Sequence, residues 1–277
     1  MRPLRALSPT PVAAMGEAWI EQLKGKLTAK GADRVRVCRE TLCDLAFPQY
    51  SANWETAVAD EKLPIGTRLA LSALDSRNIT LEPEYYADCD QEKFAANKPL
   101  LWLWYSFDRL PLGGQSVEIA IKFRQMLAPM IFKQCGERFK CFQHVEFSYG
   151  YNIEVGDDCV IHRHVLLDDR GGLVIGNRVS VSDYANIYSH THSIVDQKDV
   201  TNAVTTLEDD VRITYHATVL AGTRVGTNAM VGAVAVATKD VRPYHVNVGI
   251  PAKSIRVKPN APQSRDRLLG RDEPHPK

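Results

Sequence analysis

Hydrophobic positions recur every six residues through the second half of the chain. From Val155 onward the sequence divides into hexads, and eleven of twelve leading positions are Val, Ile or Leu. The leading residues are Val155, Ile161, Leu167, Ile175, Val181, Ile187, Leu207, Ile213, Val219, Val225, Val231 and Ala237. The fifth position of each hexad is mostly small or β-branched, as in Cys159, Ala185 and Thr223. This period predicts short strands joined by tight turns in a stacked solenoid.

Three hexads close one triangular coil of roughly eighteen residues, with the leading aliphatic side chain pointing inward onto its counterpart in the next coil. The repeat has two interruptions. Two residues are inserted at Leu173–Val174, and a longer break runs from Ser193 to Thr206, directly after a histidine. A solenoid accepts insertions only at its corners, and functional residues concentrate in such loops.

The first part of the chain has the hydrophobic spacing of helices. Glu17–Lys30 and Asp33–Leu45 carry apolar residues at helical intervals among charged ones. Ser116–Lys133 is the clearest amphipathic helix, and we expect it to be capped by Ser116 and interrupted near Pro129. Its polar face carries charges of both signs, which favours packing on the solenoid over binding a membrane surface.

Tryptophan and histidine divide between these two parts. All four Trp precede residue 105, and all eight His lie at or after His144. We therefore predict a disordered leader over 1–14, a mostly α-helical N-terminal region over 15–140, a β-solenoid domain over 141–258 and a disordered polar tail over 259–277.

The composition excludes several classes of function. The chain has 277 residues and 34 Lys+Arg against 33 Asp+Glu, so its charge of +1 gives no global attraction to nucleic acid or anionic membranes. Its longest apolar runs, such as Leu100–Tyr105, are too short to span a bilayer. None of the six Cys forms a CxxC pair, and buried free thiols together with a poor secretory signal indicate a cytoplasmic protein.

Four segments resemble one family. Tyr149–Asp157 resembles the YGYNI…IGD entry of the maltose/galactoside O-acetyltransferase group, and Asn186–His192 resembles its QIYTATH stretch. Thr238–Val241 and Gly249–Lys253 resemble its VTKDI and GVPAK endings. The hexads and these motifs over about 145–258 are similar to those of hexapeptide-repeat acyltransferases, whereas 1–110 match no known pattern. The resemblance implies a mainly β fold, a left-handed parallel β-helix preceded by the helical region.

The resemblance also implies a reaction. It places the family's catalytic histidine at His192 and gives the neighbouring His190 a loop-contact or supporting role. A histidine with a pKa near 6.5 can accept a proton from a sugar hydroxyl at neutral pH, and that hydroxyl would attack the thioester of acetyl-CoA. No Ser or Cys nucleophile beside a base is evident, which favours direct transfer without an acyl-enzyme. No metal is expected.

Other site residues follow from matched motifs. His162, Asp169 and Ser148 would bind the acceptor, although His162 stands beside the group's asparagine and Ser148 where the group often has Asp. The coenzyme A arm would contact Arg212, Tyr215, Ala233, Thr238, Lys239 and Arg256. Arg212 replaces the usual Trp of that wall. Lys and Arg suit the phosphates of coenzyme A.

The resemblance further implies a homotrimer whose active sites lie between subunits and take a small saccharide-like acceptor. Two alternatives are open. The first is a γ-carbonic-anhydrase-like metalloenzyme, which would bind zinc through three converging histidines. No pair of the five mid-solenoid histidines has the five-residue spacing expected for it. The second is a non-catalytic binding or assembly module in which the helical region does the work.

Overall fold

The structure is a computed structural model that describes residues 10–262. Within that range the first part of the chain is helical and the second is a β-solenoid. The α-helices are α1 (Ala13–Thr28), α2 (Arg34–Ala46), α3 (Trp54–Ala59), α4 (Ile65–Ser72), α5 (Tyr85–Asp88), α6 (Gln91–Asp108), α7 (Pro111–Gln115) and α8 (Val117–Ile131). Short 3-10 helices cover Pro48–Asn53 and Ser76–Asn78.

The predicted helices are present, with some differences at their ends. α1 begins at Ala13, inside the predicted leader. Residues 1–9 of that leader and 263–277 of the predicted tail lie outside the described residues. Asp33 caps α2 by accepting a hydrogen bond from the Arg36 N–H. The side chain of Ser116 makes no capping hydrogen bond, so that expectation is wrong. α8 also continues through Pro129, because a proline in the last turn removes only one main-chain hydrogen bond.

Short strands follow from residue 134. They are β1 (Gln134–Cys135), β2 (Lys140–Cys141), β3 (Glu146–Phe147), β4 (Ile153–Val155), β5 (Val160–Ile161), β6 (Leu166–Leu167), β7 (Leu173–Ile175), β8 (Ser180–Val181), β9 (Asn186–Ile187), β10 (His190–His192), β11 (Val200–Asn202), β12 (Thr205–Leu207), β13 (Arg212–Ile213), β14 (Thr218–Val219), β15 (Arg224–Val225), β16 (Met230–Val231), β17 (Val236–Ala237), β18 (His245–Val248) and β19 (Lys253–Val257).

The strands form three sheets that run along the solenoid. Sheet A has the order β1-β4-β7-β12-β15, sheet B the order β2-β5-β8-β13-β16-β18-β19, and sheet C the order β3-β6-β9-β14-β17. All neighbours within these sheets are parallel except β18 and β19. β10 and β11 form a separate antiparallel hairpin that leaves the solenoid. The chain therefore winds as a parallel β-helix of about six turns.

The solenoid starts one coil earlier than the hexads indicate, because β1 pairs with β4 at Cys135 and Val155. The early coils are twenty residues long, as in the pairing of Val155 with Ile175. Later coils have eighteen residues, as in the pairing of Ile213 with Val231. The sequence placed the two-residue insertion at Leu173–Val174, but these residues belong to β7. The preceding corner, closed by the Gly172 N–H donating to the Asp169 carbonyl, holds the extra length instead.

Leading aliphatic residues fill the interior of the solenoid. Ile161, Val181, Ile213 and Val231 stack in sheet B and are fully buried. Each buries apolar surface only against the coils above and below it, so the stability of a coil depends on its neighbours. The predicted inward direction of the hexad leads is confirmed by this burial.

One buried ion pair joins the helical region to the first coil. The Arg124 guanidinium on α8 donates to the Asp108 carboxylate at the end of α6, and both side chains are almost fully buried. Asp108 also accepts the His144 N–H at 2.7 Å, and Arg124 reaches the Cys141 carbonyl at 3.4 Å. The helices are thereby fixed over one end of the solenoid, as predicted for α8. Among the described residues, no helix is both long and apolar enough to cross a membrane.

Candidate active site

The hairpin after β9 carries the two histidines of the predicted site. His190 and His192 are two residues apart on β10, and side chains alternate along a strand, so both point to the same side. Their rings lie 5.5 Å apart in an edge-to-face arrangement. β10 is held by β11, in which Val200–Asn202 pairs with His190–His192. The interruption predicted from Ser193 to Thr206 is therefore an ordered extension that presents both imidazoles.

Asp168 organises the corner beneath the hairpin. Its carboxylate is 2% exposed and accepts the Ser189 N–H at 2.9 Å and the Ser148 hydroxyl at 2.9 Å. The His190 N–H donates to the same carboxylate at 3.1 Å, and its Nδ1 atom lies 2.5 Å from Oδ2. A carboxylate at Nδ1 fixes the imidazole plane and leaves Nε2 free.

His192 is more open. Its Nδ1 atom lies 2.7 Å from the Gln197 carbonyl oxygen, which can only accept a hydrogen bond, so Nδ1 carries the proton in the neutral ring. Nε2 then carries the lone pair, and its side chain is 33% exposed. A neutral imidazole with an accessible unprotonated nitrogen has the form required of a general base.

A segment from the helical region covers this corner. The Arg170 guanidinium, 1% exposed, donates to Glu84 at 2.6 Å and to Asp88 at 2.5 Å, and lies 4.3 Å from the centre of the Tyr85 ring. Burial raises the pKa of the Asp88 carboxyl, but hydrogen bonds from Arg170 and Asn202 outweigh burial and hold that pKa below its usual value. The Oε1 atom of Glu84 lies 3.6 Å from Nε2 of His192. Residues 84–88 therefore form one wall of the candidate site.

The acceptor residues predicted from the sequence are separated. Ser148 lies at the corner, bonded to Asp168. Asp169 is fully buried, and its carboxylate accepts the N–H groups of Tyr149 at 2.7 Å and Asn152 at 3.2 Å. Burial is the main cause that raises the pKa of Asp169 to about 6. Its bonds hold the 149–152 turn, and its carboxylate is buried from solvent. His162 stacks on Phe142 at 5.0 Å, at a different corner of the coil.

The residues predicted for coenzyme A lie on two corners and one face. Thr238 and Lys239 follow β17, and Tyr188 follows β9, so all three lie at the same corner of the solenoid. β9 and β17 are two strand spacings apart, so Thr238 and Lys239 lie roughly 10 Å from Tyr188. Both residues are exposed. Tyr215 and Ala233 are exposed at the corner between sheets B and C. One chain does not bring them together with His192.

Arg212 and Arg256 lie on sheet B. Arg212 is in register with Met230, Met230 with Val246, and Val246 with Arg256. The two exposed arginines are therefore about 14 Å apart across the sheet. The Lys258 ammonium is also close to Arg212. Burial is the larger cause that lowers its pKa, and the positive charge of Arg212 is the second. This part of the face is cationic.

Comparisons with known proteins agree with this geometry. No protein-family model matches the chain. The chain is 30% identical over 162 residues to dTDP-4-amino-4,6-dideoxy-D-glucose acyltransferase of Escherichia coli, covering 47% of this chain and 84% of that protein. The chain belongs to the hexapeptide-repeat acyltransferase family.

Two further comparisons support that assignment. Galactoside O-acetyltransferase of Escherichia coli (strain K12) is 26% identical over 140 residues, 49% of this chain and 69% of that enzyme. The hexapeptide-repeat acetyltransferase VCA0836 of Vibrio cholerae O1 biovar eltor, solved in complex with acetyl coenzyme A, superposes with a TM-score of 0.52 at 22% identity. The superposition covers 60% of this chain and 87% of that structure, which shows that the two share a fold. The predicted family, fold and enzyme class are confirmed.

Three residues of this candidate site were not predicted from the sequence. Asp168 directly precedes the predicted Asp169. Neighbouring side chains of an extended chain point to opposite sides, and this alternation could have indicated that the two carboxylates have different partners. Arg170 continues the same corner. Glu84 is 106 residues from His190 in sequence, and no local pattern connects them. Only the folded chain shows that the helical region supplies a wall.

Proposed function

We propose that this acyltransferase transfers an acetyl group from acetyl-CoA directly to a hydroxyl of a sugar or sugar-like acceptor, with His192 as general base. The observation that carries the proposal is the state of the His192 ring. Nδ1 is held by the Gln197 carbonyl and Nε2 is accessible on an ordered hairpin at the corner of the β-helix. The acetyl-CoA complex of the Vibrio cholerae relative and the name of the galactoside enzyme support the donor and the acceptor class.

The chemistry needs one proton transfer in each direction. Nε2 of His192 accepts the proton of the acceptor hydroxyl as its oxygen attacks the thioester carbonyl carbon. The tetrahedral intermediate then breaks its carbon–sulfur bond and releases coenzyme A as a thiolate. The imidazolium returns its proton to that thiolate, and the acetyl ester leaves. General-base help of this kind contributes about 10²–10⁴ in rate.

Cationic groups support the placement of the donor. Lys239 is exposed on the corner that carries the hairpin, and Arg212, Arg256 and Lys258 supply positive charge on sheet B. Phosphate groups are well matched to Lys and Arg. Arg212 stands where the group has an apolar residue. Its guanidinium would bind a phosphate or an acidic acceptor better than it would contact the uncharged pantetheine arm of coenzyme A.

We further propose a homotrimer with active sites between subunits, in the cytoplasm. The support is that His162, Tyr215 and Ala233 lie at a different corner from His192, so a second chain is needed to complete one site. All six cysteines are free, as is usual in a reducing compartment. Sedimentation velocity of the full chain tests the trimer, and a monomer with full activity would contradict it.

Thiol release from acetyl-CoA tests the reaction across a panel of saccharide acceptors. We expect acceptor-dependent release that falls at least about 10²-fold in His192→Ala. His144→Ala is the matched control, because His144 stacks on His164 in the first coil and lies two coils from the hairpin. Equal release in wild type and His192→Ala would refute the base. Absence of acceptor-dependent release with every hydroxyl acceptor, alongside release with amino sugars, would refute the hydroxyl acceptor.

A further inference from the structure

Three metal-ligating groups converge beside the candidate base. One ligand atom from each of Glu84, His190 and His192 lies within 4.8 Å of the other two. Two imidazoles and a carboxylate are a donor set suited to Zn²⁺ and neighbouring divalent transition metals. We propose that these three residues form a reversible binding site for one such ion, which joins the helical region to the hairpin.

The orientation of both imidazoles supports the proposal. Metal-binding histidines almost always direct their second ring nitrogen to a carboxylate, a main-chain carbonyl or water. Nδ1 of His190 lies 2.5 Å from the buried Asp168 carboxylate, and Nδ1 of His192 lies 2.7 Å from the Gln197 carbonyl. Each ring therefore keeps Nε2 as its free ligand atom. The supporting hydrogen bond of each ring already has the arrangement that metal-binding histidines use.

The distances leave room for an ion after a small adjustment. In a tetrahedral zinc site with bonds of 2.0–2.2 Å, ligand atoms lie roughly 3.4 Å apart. The Glu84 oxygen and Nε2 of His192 are 3.6 Å apart, already close to this value. The His190 atom lies within 4.8 Å of both, so the partly exposed Glu84 and His192 side chains have to approach it by at most about 1.4 Å.

The carboxylate is positioned in the same way as the rings. Arg170 donates to Glu84 at 2.6 Å and is itself almost fully buried, so Glu84 is directed toward the histidines. The side chain of Glu84 is 39% exposed and that of His192 is 33% exposed. An ion can therefore enter from solvent, and water would fill its remaining coordination position.

Occupation of the site has a consequence for catalysis, and this consequence alone rests on the proposed function. An ion bound to Nε2 of His192 uses the lone pair that would accept the proton of the acceptor. Metal binding and general-base catalysis are then mutually exclusive. The ion would act as an inhibitor that a chelator removes.

Metal binding can be measured without any substrate. Tag-free full-length chain, stripped with chelator, is titrated with Co²⁺ while visible absorption is recorded, and with Zn²⁺ in a calorimeter. We expect one ion per chain with a micromolar or smaller Kd for Zn²⁺. Glu84→Gln and His190→Gln should each weaken binding at least tenfold, and His216→Gln, the matched control on another corner, should leave it unchanged.

Two outcomes would overturn the proposal. One is saturable binding of equal strength in wild type, Glu84→Gln and His190→Gln, which would place the ion elsewhere. The other is no saturable binding below millimolar Zn²⁺. Circular dichroism checks the fold of each variant, and if His190→Gln is unfolded, Glu84→Gln and His192→Gln carry the test because both side chains are partly exposed.

Inhibition is tested separately by thiol release in rising Zn²⁺ concentrations. Glu84→Gln should require at least ten times more Zn²⁺ for half-inhibition of its own activity, and EDTA should restore the rate in both proteins. Equal sensitivity of the two would contradict the inhibitory role. Because the binding titrations contain no donor or acceptor, failure of the proposed acetyl transfer leaves their result intact.

Discussion

The Nδ1 atom of His190 lies 2.5 Å from Oδ2 of Asp168, a carboxylate that is 2% exposed. The same carboxylate accepts the main-chain N–H groups of Ser189 and His190 and the hydroxyl of Ser148. One acidic side chain thus connects three consecutive turns of chain at the candidate site. Its loss should affect both the local structure and the direction of the His190 ring.

We expect Asp168→Asn to lower the free energy of unfolding by about 2–4 kcal/mol, because the amide nitrogen cannot accept hydrogen bonds and buried donors lose their partner. Urea unfolding measures the change. Asp199→Asn, at an exposed position of the hairpin, should change it by less than about 0.5 kcal/mol. Equal effects of the two substitutions would show that the buried network contributes nothing.

Arg170→Met should release residues 84–88 from the corner. The guanidinium joins Glu84 and Asp88 at once, and neither carboxylate would retain this cation. We expect limited proteolysis within 84–90 to become about tenfold faster, because local opening governs cleavage. Arg178→Met is the control, since Arg178 forms an exposed ion pair with Asp210 at the corner between sheets A and B. Unchanged cleavage in Arg170→Met would contradict this role.

Arg124→Met should destabilise the joint between helices and solenoid. It leaves the Asp108 carboxylate buried without its ion-pair partner, which costs about 3–5 kcal/mol. Thermal and urea unfolding give the value. Arg138→Met removes an exposed ion pair with Asp158 and should lower the stability far less than Arg124→Met. The double variant Asp108→Leu with Arg124→Met should recover part of the loss, and a further loss would argue against this account.

Asp169 should make stability depend on pH in a direction opposite to most carboxylates. Burial raises the pKa of Asp169 to about 6 from its usual 3.8, so the folded chain binds this proton more tightly than the unfolded chain. The contribution is fully present below about pH 3.8 and is lost as pH rises through about 6, up to about 3 kcal/mol.

The measurement for Asp169 is the difference in unfolding free energy between wild type and Asp169→Asn from pH 4 to 7. The unfolding free energy of wild type should fall relative to that of Asp169→Asn as pH rises, because only wild type loses a proton at this position. Comparison with Asn removes the contribution of other carboxylates. A difference that is flat with pH would show that Asp169 titrates at its ordinary value.

The sequence revealed the solenoid wherever aliphatic residues lead the hexads, as at Ile213 and Val231. It missed the first coil, because the corresponding positions are Cys135, Cys141 and Phe147 and not Val, Ile or Leu. A pattern defined by leading aliphatic residues does not include them. The register of sheet B nevertheless continues through Cys141 without a break.

The candidate site was also only partly predictable from the sequence. His192 was predicted because a local motif and the following interruption mark it. The contact between Glu84 and His192 joins residues 108 positions apart and depends on how α5 lies against the hairpin corner, which is a property of packing alone. Asp168 and Asp169 are adjacent and chemically identical, and only the pleat of the chain assigns one to His190 and the other to the Tyr149 turn.

β19 runs antiparallel to β18 at the last edge of sheet B, while Val241 lies beside β15 and the Ala252 N–H donates to Val236. Helix α8 covers the opposite end. A β-solenoid with unpaired strands at its ends could pair with further copies of itself, and unpaired strand edges are a usual cause of aggregation into fibres. Within the described residues, helix α8 and the antiparallel β19 therefore close the two ends of the solenoid. This arrangement disfavours growth along the axis and favours association of copies side by side.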